Sequence, residues 1–327
     1  MNSTRTHITR TLPGIFITLC LIAFIIWQVE WEEIISSFSQ FRTIMIIPAV
    51  ILYLSTFFLR AVRWQIILHA LKNIPLLLNF QVVMIGWAAN NLLPARLGEL
   101  VRAYVMGKQA QISKSSTLTT ILVERLFDGM ILVLFLILII PYFKFPQWVY
   151  NLEIAGVCLF GGMFLLFIII QKKHNYFLIL IQKLTNRFSL RLRTKVNEFS
   201  QKFLQGLECL ANPYRQLLVV FYSLLIWIIE GFTYYIILKG FRIDLPLAAA
   251  FFTLIIVNVG ILIPSSPGYI GAFQFFAILA LSLFKINSGT ALSFSLVLHA
   301  IQYIPVTLLG IIFMNHLGLR WKEIKQQ

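Results

Sequence analysis

Charge is scarce in this chain. Only 12 of its 327 residues are acidic, and Asp, Glu, Lys and Arg together make up 12%. A soluble domain usually carries about a quarter charged residues. The deficit comes with 59% hydrophobic residues and a mean hydropathy of +0.85. An ordinary soluble fold is excluded. Several apolar runs exceed the ~18 residues that mark a spanning helix. The short alternating strands of a membrane β-barrel are missing. The chain therefore reads as an all-α polytopic membrane protein. Cysteine is nearly absent too. Cys20, Cys158 and Cys209 lie far apart and give neither a disulfide framework nor a metal site. No G-x-S-x-G, H-E-x-x-H, Walker loop or G-x-G-x-x-G occurs. No catalytic residue and no cofactor is expected, and the chain reads as transporter-like rather than as an enzyme.

The charge that is present leans positive, at net +15. In a soluble protein that excess would suggest nucleic acid. Here Lys and Arg gather in a few loops, as cytoplasmic-loop bias and attraction to anionic headgroups would produce. With no zinc spacing and no arginine-rich arm, nucleic acid is not an expected partner.

Candidate spans are 12–28, 44–66, 116–140, 149–170, 215–238 and 290–314. The first follows Arg5 and Arg10 and has no convincing cleavage site, so it reads as an uncleaved signal-anchor. Two further apolar stretches, 76–112 and 246–286, are interrupted. Arg5 and Arg10 place the N-terminus inside, and Glu30, Glu32 and Glu33 place the next loop outside. Arg60, Arg63 and Lys72 then read as cytoplasmic, as do Lys108 and Lys114. The 76–112 stretch is thus basic at both ends and should return to the side it left, turning near Pro94. The basic loop 171–214 is inside. The C-terminal RWKEIKQQ is inside as well, so 246–286 must begin and end outside, although Lys239, Arg242 and Lys285 weaken that assignment. The expected architecture is six full spans plus two re-entrant broken-helix hairpins of opposite orientation, or eight spans if the hairpins cross. The setting is a bacterial or archaeal cytoplasmic membrane, with both termini cytoplasmic.

The hairpins resemble each other. LLPARLGE (92–99) matches LIPSSPGY (262–269) in Leu-apolar-Pro and in a Gly four positions after the Pro. The units 44–140 and 215–314 would form an inverted repeat within one membrane domain, as in transporters whose broken helices meet near the midplane. In 171–214, apolar residues from Phe177 to Leu207 recur at steps of three and four, so one amphipathic helical face is expected there. It would lie on the anionic inner leaflet or pack on the bundle as a linker.

Non-helical backbone at membrane depth is tolerated only inside protein or beside a water-filled cavity. Pro94 removes a donor and disfavours helix at Leu93, and Asn90 and Asn91 can bond the freed groups. Arg96 is expected at the start of the next half-helix, with Arg96, Glu99 and Arg102 in one i,i+3 row. Ser265, Ser266 and Gly268 come from the second break. Two half-helix N-termini and an arginine facing each other would suit a phosphate or carboxylate. Glu124, Arg125 and Asp128 sit inside a span, where each buried charge costs at least about 2.5–3.5 kcal/mol. Either they close the bundle as ion pairs with Arg96 or Arg102, or they meet a headgroup or a coupling proton. Glu124 and Asp128 could also serve as paired carboxylates in acid–base work. Glu230 is the one acid in its span. Asn258, His299 and Gln302 fit helix–helix hydrogen bonding.

The ordered set NNLLPARLGELVRAY, VERLFDG and PSSPGYIGAFQ resembles the lysylphosphatidylglycerol synthase transmembrane (flippase-like) family over nearly the whole chain. Arg96, Gly98, Glu99, Glu124, Arg125, Asp128, Pro264, Pro267 and Gly268 fall on its motifs. The resemblance implies lipid binding or translocation. Aminoacyl transfer belongs to a separate domain in full-length members, and the chain ends at Gln327, so that activity is not expected here. The expected function is translocation of a phospholipid or polyprenyl-phosphate-type lipid with an anionic or zwitterionic headgroup. The expected binding residues are Asn90, Asn91, Arg96, Glu99, Arg102, Glu124, Arg125, Asp128, Glu230, Ser265, Ser266 and Gly268. One alternative is a non-transporting lipid-binding accessory of envelope lipid or glycan synthesis, partnered by enzymes of that synthesis. Another is an intramembrane lipid-modifying enzyme. Self-association is a further expectation.

Overall fold

In a computed structural model of the chain, residues 2–93, 96–263 and 265–319 are described, with backbone alone for 2–13 and 15. The turn expected at Pro94, the Pro264 of the second motif and the C-terminal RWKEIKQQ lie outside the described residues. So do the side chains of Arg5 and Arg10.

Among the described residues the protein is all-α. Its helices are α1 (Asn2–Gln28), α2 (Trp31–Gln40), α3 (Ile46–Leu68), α4 (Leu76–Leu92), α5 (Gly98–Ala110) and α6 (Lys114–Ile139). Then follow α7 (Gln147–Lys172), α8 (His174–Thr185), α9 (Leu190–Gly206), α10 (Pro213–Gly240), α11 (Leu247–Gly260), α12 (Ala272–Ser282) and α13 (Ser288–His316). Helices α7, α10, α13 and the segment Thr43–Leu68 are long and apolar enough to cross a membrane. Helix α6 has 26 residues and carries Glu124, Arg125 and Asp128 at its middle.

Local chemistry explains the ends. Asn212 Oδ1 accepts from Tyr214 N–H and Arg215 N–H, with Pro213 at the first helical position of α10. Asn287 Oδ1 caps α13 through Thr290 N–H at 2.8 Å. Helix α4 stops at Leu92, and Leu93, which precedes a proline, is extended (φ −111°, ψ 146°), as the proline ring requires.

Helices α4 and α5 have 17 and 13 residues, and α11 and α12 have 14 and 11. At 1.5 Å per residue none exceeds roughly 26 Å, short of the ~30 Å hydrocarbon core. Each pair folds back on itself. In the first, Gly86 and Gly98 bring the backbones together. A Cβ at Gly98 would overlap the Gly86 carbonyl oxygen and the Asn90 amide.

Antiparallel packing organises the rest. Helix α10 lies along α3. Arg42 N–H bonds Gly240 O at one end (2.9 Å), Arg60 pairs with Glu230 midway (2.6 Å), and Arg215 meets His69 at the other end (3.1 Å). Helix α13 lies along α4, from Asn91–Thr307 (2.8 Å) to Gln81–His316 (3.2 Å). The packing partners are exchanged in pairs. Helix α3 packs on α4 as α10 does on α11. Helix α4 packs on α13 as α11 does on α6, and α5 packs on α6 as α12 does on α13.

The loops sort to two ends. One end gathers the connections near residues 69–75, 110–114, 205–215 and 316–319, tied by Lys72–Ala110 O (2.9 Å), Gln109–Leu317 O (3.4 Å) and Ser116–Gln205 (3.4 Å). The other gathers 29–45, 140–147, 240–247 and 283–290. There Ser37 meets Thr290 (2.7 Å), and the Glu33 carboxylate accepts from Gly289 N–H (3.0 Å).

Two expectations are corrected. Arg60 and Arg63 are not loop charges. They lie on the inner face of α3, at 3% and 1% exposure, because Glu230, Asp128 and Glu124 compensate them there. The 171–214 segment is not one helical face either. It is a hairpin of α8 and α9 broken at 186–189, with Phe177 packed on Phe203 at 6.3 Å between ring centroids.

Candidate functional site

The two hairpin breaks meet in the bundle interior. Arg96, with φ +53°, donates through Nη2 to Ile261 O at 3.1 Å, and its guanidinium stands 5.3 Å from the Tyr269 ring. Gly268 (φ +70°) packs against the Tyr303 ring and the Asn91 carbonyl, where a side chain has no room. Asn90 Oδ1 accepts from Gly98 N–H at 2.7 Å and so satisfies the start of α5. Asn91 turns away. Its amide donates to Thr307 Oγ1 and pins α4 to α13.

Behind the breaks lies a buried ionic layer. Arg63 donates to Asp128 Oδ1 (2.5 Å) and Oδ2 (3.2 Å), to Ser223 Oγ (2.8 Å) and to Glu124 Oε1 (3.3 Å). Arg102 donates to Glu124 Oε2 at 2.8 Å, and Arg60 to Glu230 Oε2 at 2.6 Å. Trp227 Nε1–H adds a bond to Asp128 Oδ1 at 3.0 Å. Indole faces cover the cations. Arg102 lies 4.1 Å from the Trp64 ring centroid, and Arg60 lies 5.0 Å from Trp87 and 5.4 Å from Trp227. Such contacts strengthen when desolvated. Three arginines face three carboxylates here, so the layer is electrically balanced.

A cavity of about 530 Å³ opens beside it. Its polar part includes Asn90, Arg96, Glu99, Arg125, Asp128, Asn258 and Tyr269, with the two indoles Trp87 and Trp227. Its walls are apolar, from Leu118 to Leu136 on α6 and from Leu152 to Phe160 on α7, with Ile255, Val259 and Leu262 after them. Leu118 and Leu136 are 18 helical positions apart on α6, roughly 27 Å at 1.5 Å per residue. The cavity therefore runs along most of α6, with Arg125 and Asp128 midway. A second cavity of about 410 Å³ shares Leu152 and Val259 with it and lies between α7, α11 and α12. The seam between α7 and α11 is thus hollow on both faces. Helix α7 is scarcely buried, 6% of its most apolar window. It also carries a π-helical turn at Val157–Gly161, a local widening frequent at functional sites.

The structure redistributes the twelve expected binding residues. Asn90, Arg96, Glu99, Arg125 and Asp128 line the cavity. Arg102, Glu124 and Glu230 belong to the buried layer behind it. Asn91 and Gly268 are packing contacts. Ser265 and Ser266 meet α1 through their backbone, and the Ser266 hydroxyl donates to Ile270 O at 3.2 Å. Gly14 abuts the Ser265 carbonyl, and Ser266 N–H donates to Thr18 Oγ1 at 2.9 Å. The second half-helix therefore presents no N-terminus to the cavity. Its first turn is closed by Gln274 Oε1 on Gly271 N–H at 2.8 Å. The Arg96–Glu99–Arg102 row does not form either. Arg96 precedes α5 in left-handed backbone, and Arg102 points to Glu124. Of the lone polar residues, Asn258 lines the cavity and His299 stacks on Phe273 at 4.5 Å.

Sequence reasoning missed Arg60, Arg63, Trp64, Trp87, Trp227 and Tyr269. A signal existed. Arg60 and Arg63 are three apart within an apolar span, and Trp227 lies three before Glu230, which puts each pair on one helix face. Among the described residues no group of His, Cys, Asp and Glu could hold a metal ion.

Fold and site together define a polytopic α-helical membrane protein with a balanced layer of buried ion pairs beside an interior cavity. The chain belongs to the lysylphosphatidylglycerol synthase TM region family, which it matches over residues 12–310. It is 24% identical over 301 residues to a UPF0104 membrane protein of Methanothermobacter thermautotrophicus, covering 88% of this chain and 89% of that one. It is 24% identical over 326 residues to the UPF0104 membrane protein MJ1595 of Methanocaldococcus jannaschii, covering 94% and 95%. A shorter similarity, 28% over 130 residues, links 38% of the chain to 20% of the glycosyltransferase AglD of Haloferax volcanii. No solved structure matches the chain.

Proposed function

We propose that the protein moves a lipid with an anionic or zwitterionic headgroup, a phospholipid or a polyprenyl-phosphate type, across the cytoplasmic membrane. The observation that carries this reading is the cavity beside α6. It is apolar toward both ends of the bundle and polar at the middle, where a crossing headgroup meets its highest barrier. Arg96 and Arg125 hold the headgroup. The balanced layer of Arg60, Arg63, Arg102, Glu124, Asp128 and Glu230 holds the bundle. The hollow α7–α11 seam gives acyl or prenyl chains a lateral way in.

The exchanged, antiparallel packing supports treating 44–140 and 215–314 as inverted repeat units. Both termini then lie at the basic, cytoplasmic end. Opposed broken helices whose tips meet are the usual basis of alternating access in such repeats.

The test is headgroup translocation in proteoliposomes carrying a panel of fluorescent lipids. The wild-type protein accelerates movement of at least one lipid over protein-free vesicles, and Arg96→Ala and Arg125→Ala each slow it tenfold or more. Equal rates for every lipid with and without protein would overturn the reading.

A further inference from the structure

We infer that the cavity selects a headgroup of one net negative charge, a phosphodiester flanked by hydroxyls, over diphosphates, zwitterions and neutral lipids. The inference rests on the cavity being a lipid site, as proposed above, but is carried by a separate observation, the charge count of the cluster.

Five arginines stand against four carboxylates. The inner three arginines are matched by Glu124, Asp128 and Glu230 at 2.5–3.3 Å. That leaves Arg96, Arg125 and Glu99, all on the cavity wall, with a surplus of one positive charge. Their mutual contacts are slack. Arg125 Nε is 3.7 Å from Glu99 Oε1, and Arg125 Nη1 is 3.5 Å from Asp128. Arg96 meets a carbonyl and a ring rather than a carboxylate. The Nε of Arg96 and Arg125, like that of Arg60, Arg63 and Arg102, is buried without a hydrogen-bond acceptor among the described residues, so what sets the two cavity arginines apart is their lack of a carboxylate within 3.3 Å.

An uncompensated cation between apolar walls at membrane depth is costly, so the occupant that restores neutrality is favoured. A phosphodiester monoanion does so, and its two free oxygens suit the fork of a guanidinium. A diphosphate or a phosphomonoester dianion overshoots and meets Glu99 as a like charge. A zwitterion or a neutral lipid leaves the surplus in place. Glu99, at 23% side-chain exposure, is a spare acceptor beside the arginines, and hydroxyls next to the phosphodiester would satisfy it. Two lipid classes share this chemistry, a glycerol-headed phospholipid and a polyprenyl phosphate sugar.

The experiment is competition for a bound fluorescent lipid on the purified full chain in detergent. The competitors are phosphatidylglycerol, a polyprenyl phosphate hexose, phosphatidylethanolamine, diacylglycerol and a polyprenyl diphosphate. At least one of the first two competes tenfold better than the last three, and whichever of the two is stronger names the source. Glu99→Gln raises the surplus to two charges and improves the diphosphate fivefold or more relative to phosphatidylglycerol. Arg125→Gln removes the surplus and narrows the gap between phosphatidylglycerol and diacylglycerol. The inference is overturned if the diphosphate or the zwitterion competes as well as both monoanions. It is also overturned if folded Glu99→Gln, judged by an unchanged melting temperature, keeps the wild-type ranking. A monoanion ranking without translocation would sink the transport reading alone. Translocation without that ranking would sink this inference alone.

Discussion

Arg63 and Asp128, 65 residues apart in sequence, are joined by two hydrogen bonds at 2.5 and 3.2 Å in the buried centre of the bundle. This pair sets α3 against α6. The neighbouring pairs Arg60–Glu230 and Arg102–Glu124 tie in α10 and α5, so four helices are fixed by one layer of charge. Breaking a buried pair on one side leaves an unpaired ion, at a cost of about 3–5 kcal/mol, whereas replacing both partners by apolar groups is often neutral. Arg63→Ala should therefore unfold at markedly lower denaturant. The double variant Arg63→Met/Asp128→Leu leaves the other two pairs matched and should recover much of the loss. A double-mutant cycle in detergent measures the coupling. Additive effects of the two single changes would show that the pair does not act as a unit.

Much of the fold is written in composition and periodicity. Every expected span lies within a helix or coincides with one to within a few residues. Both breaks were legible because Pro, Gly and Asn in an apolar stretch leave few alternatives. What failed was the location of Arg60 and Arg63. A basic residue near a helix end reads as a loop marker, and only the acids on α6 and α10 show that it is buried. Ser265 and Ser266 failed for a related reason. A serine beside a broken helix signals free hydrogen-bonding capacity but not direction, and here the backbone of the pair meets Gly14 and Thr18 of α1 while the Ser266 hydroxyl turns back to Ile270 O. Arg96 was expected at the start of the half-helix as a headgroup contact, and it lines the cavity just ahead of α5. Its partners, Ile261 O and Tyr269, come from the other hairpin and could not be read from local spacing.

The cavity can be tested apart from its charges. Ala155 lines it from α7, while the adjacent Ile154 is 61% exposed on the outward face. Ala155→Trp should fill the apolar slot without touching Arg96, Arg125 or Asp128. Translocation should fall at least tenfold with little change in melting temperature. Ile154→Trp, which adds the same ring to the lipid-facing side, should leave the rate unchanged. Equal rates for both variants would place the pathway elsewhere.

The two ends of the bundle are open to cysteine labelling. Ser36 is exposed on α2 at one end and Thr194 on α9 at the other. Of the native thiols, Cys20 and Cys158 are exposed and must be replaced first. Cys209 is 2% exposed, and burial pushes its thiol up to about 12 against a smaller opposing pull from Arg215. The thiolate is the reacting form, so Cys209 should stay unmodified by maleimide at pH 7–8 until the protein unfolds. In the background lacking Cys20 and Cys158, Ser36→Cys should label in intact cells and Thr194→Cys only after lysis. The reverse order would turn the molecule over.

The α8–α9 hairpin is the most basic part of the described chain, with six Lys or Arg against one Glu between residues 174 and 206. Its tip combines those charges with bared apolar side chains, Leu184 at 61%, Phe188 at 57% and Leu190 at 78% exposure. Its base is anchored. Gly206 abuts Thr119 of α6, and Phe203 packs on Phe167 of α7 at 6.1 Å. A basic, apolar edge held at one end of a membrane bundle fits an in-plane position against anionic headgroups, with about 1 kcal/mol of attraction per basic residue near the surface. An environment-sensitive dye on Leu190→Cys, in a background lacking Cys20 and Cys158, should shift to the blue in nanodiscs containing phosphatidylglycerol. The shift should weaken in phosphatidylcholine alone, and salt should reduce it by screening. Replacing Arg187, Arg191 and Arg193 with Gln should abolish the difference between the two lipids. An emission maximum that is the same in both lipids and unmoved by salt would mean that the hairpin packs on protein instead.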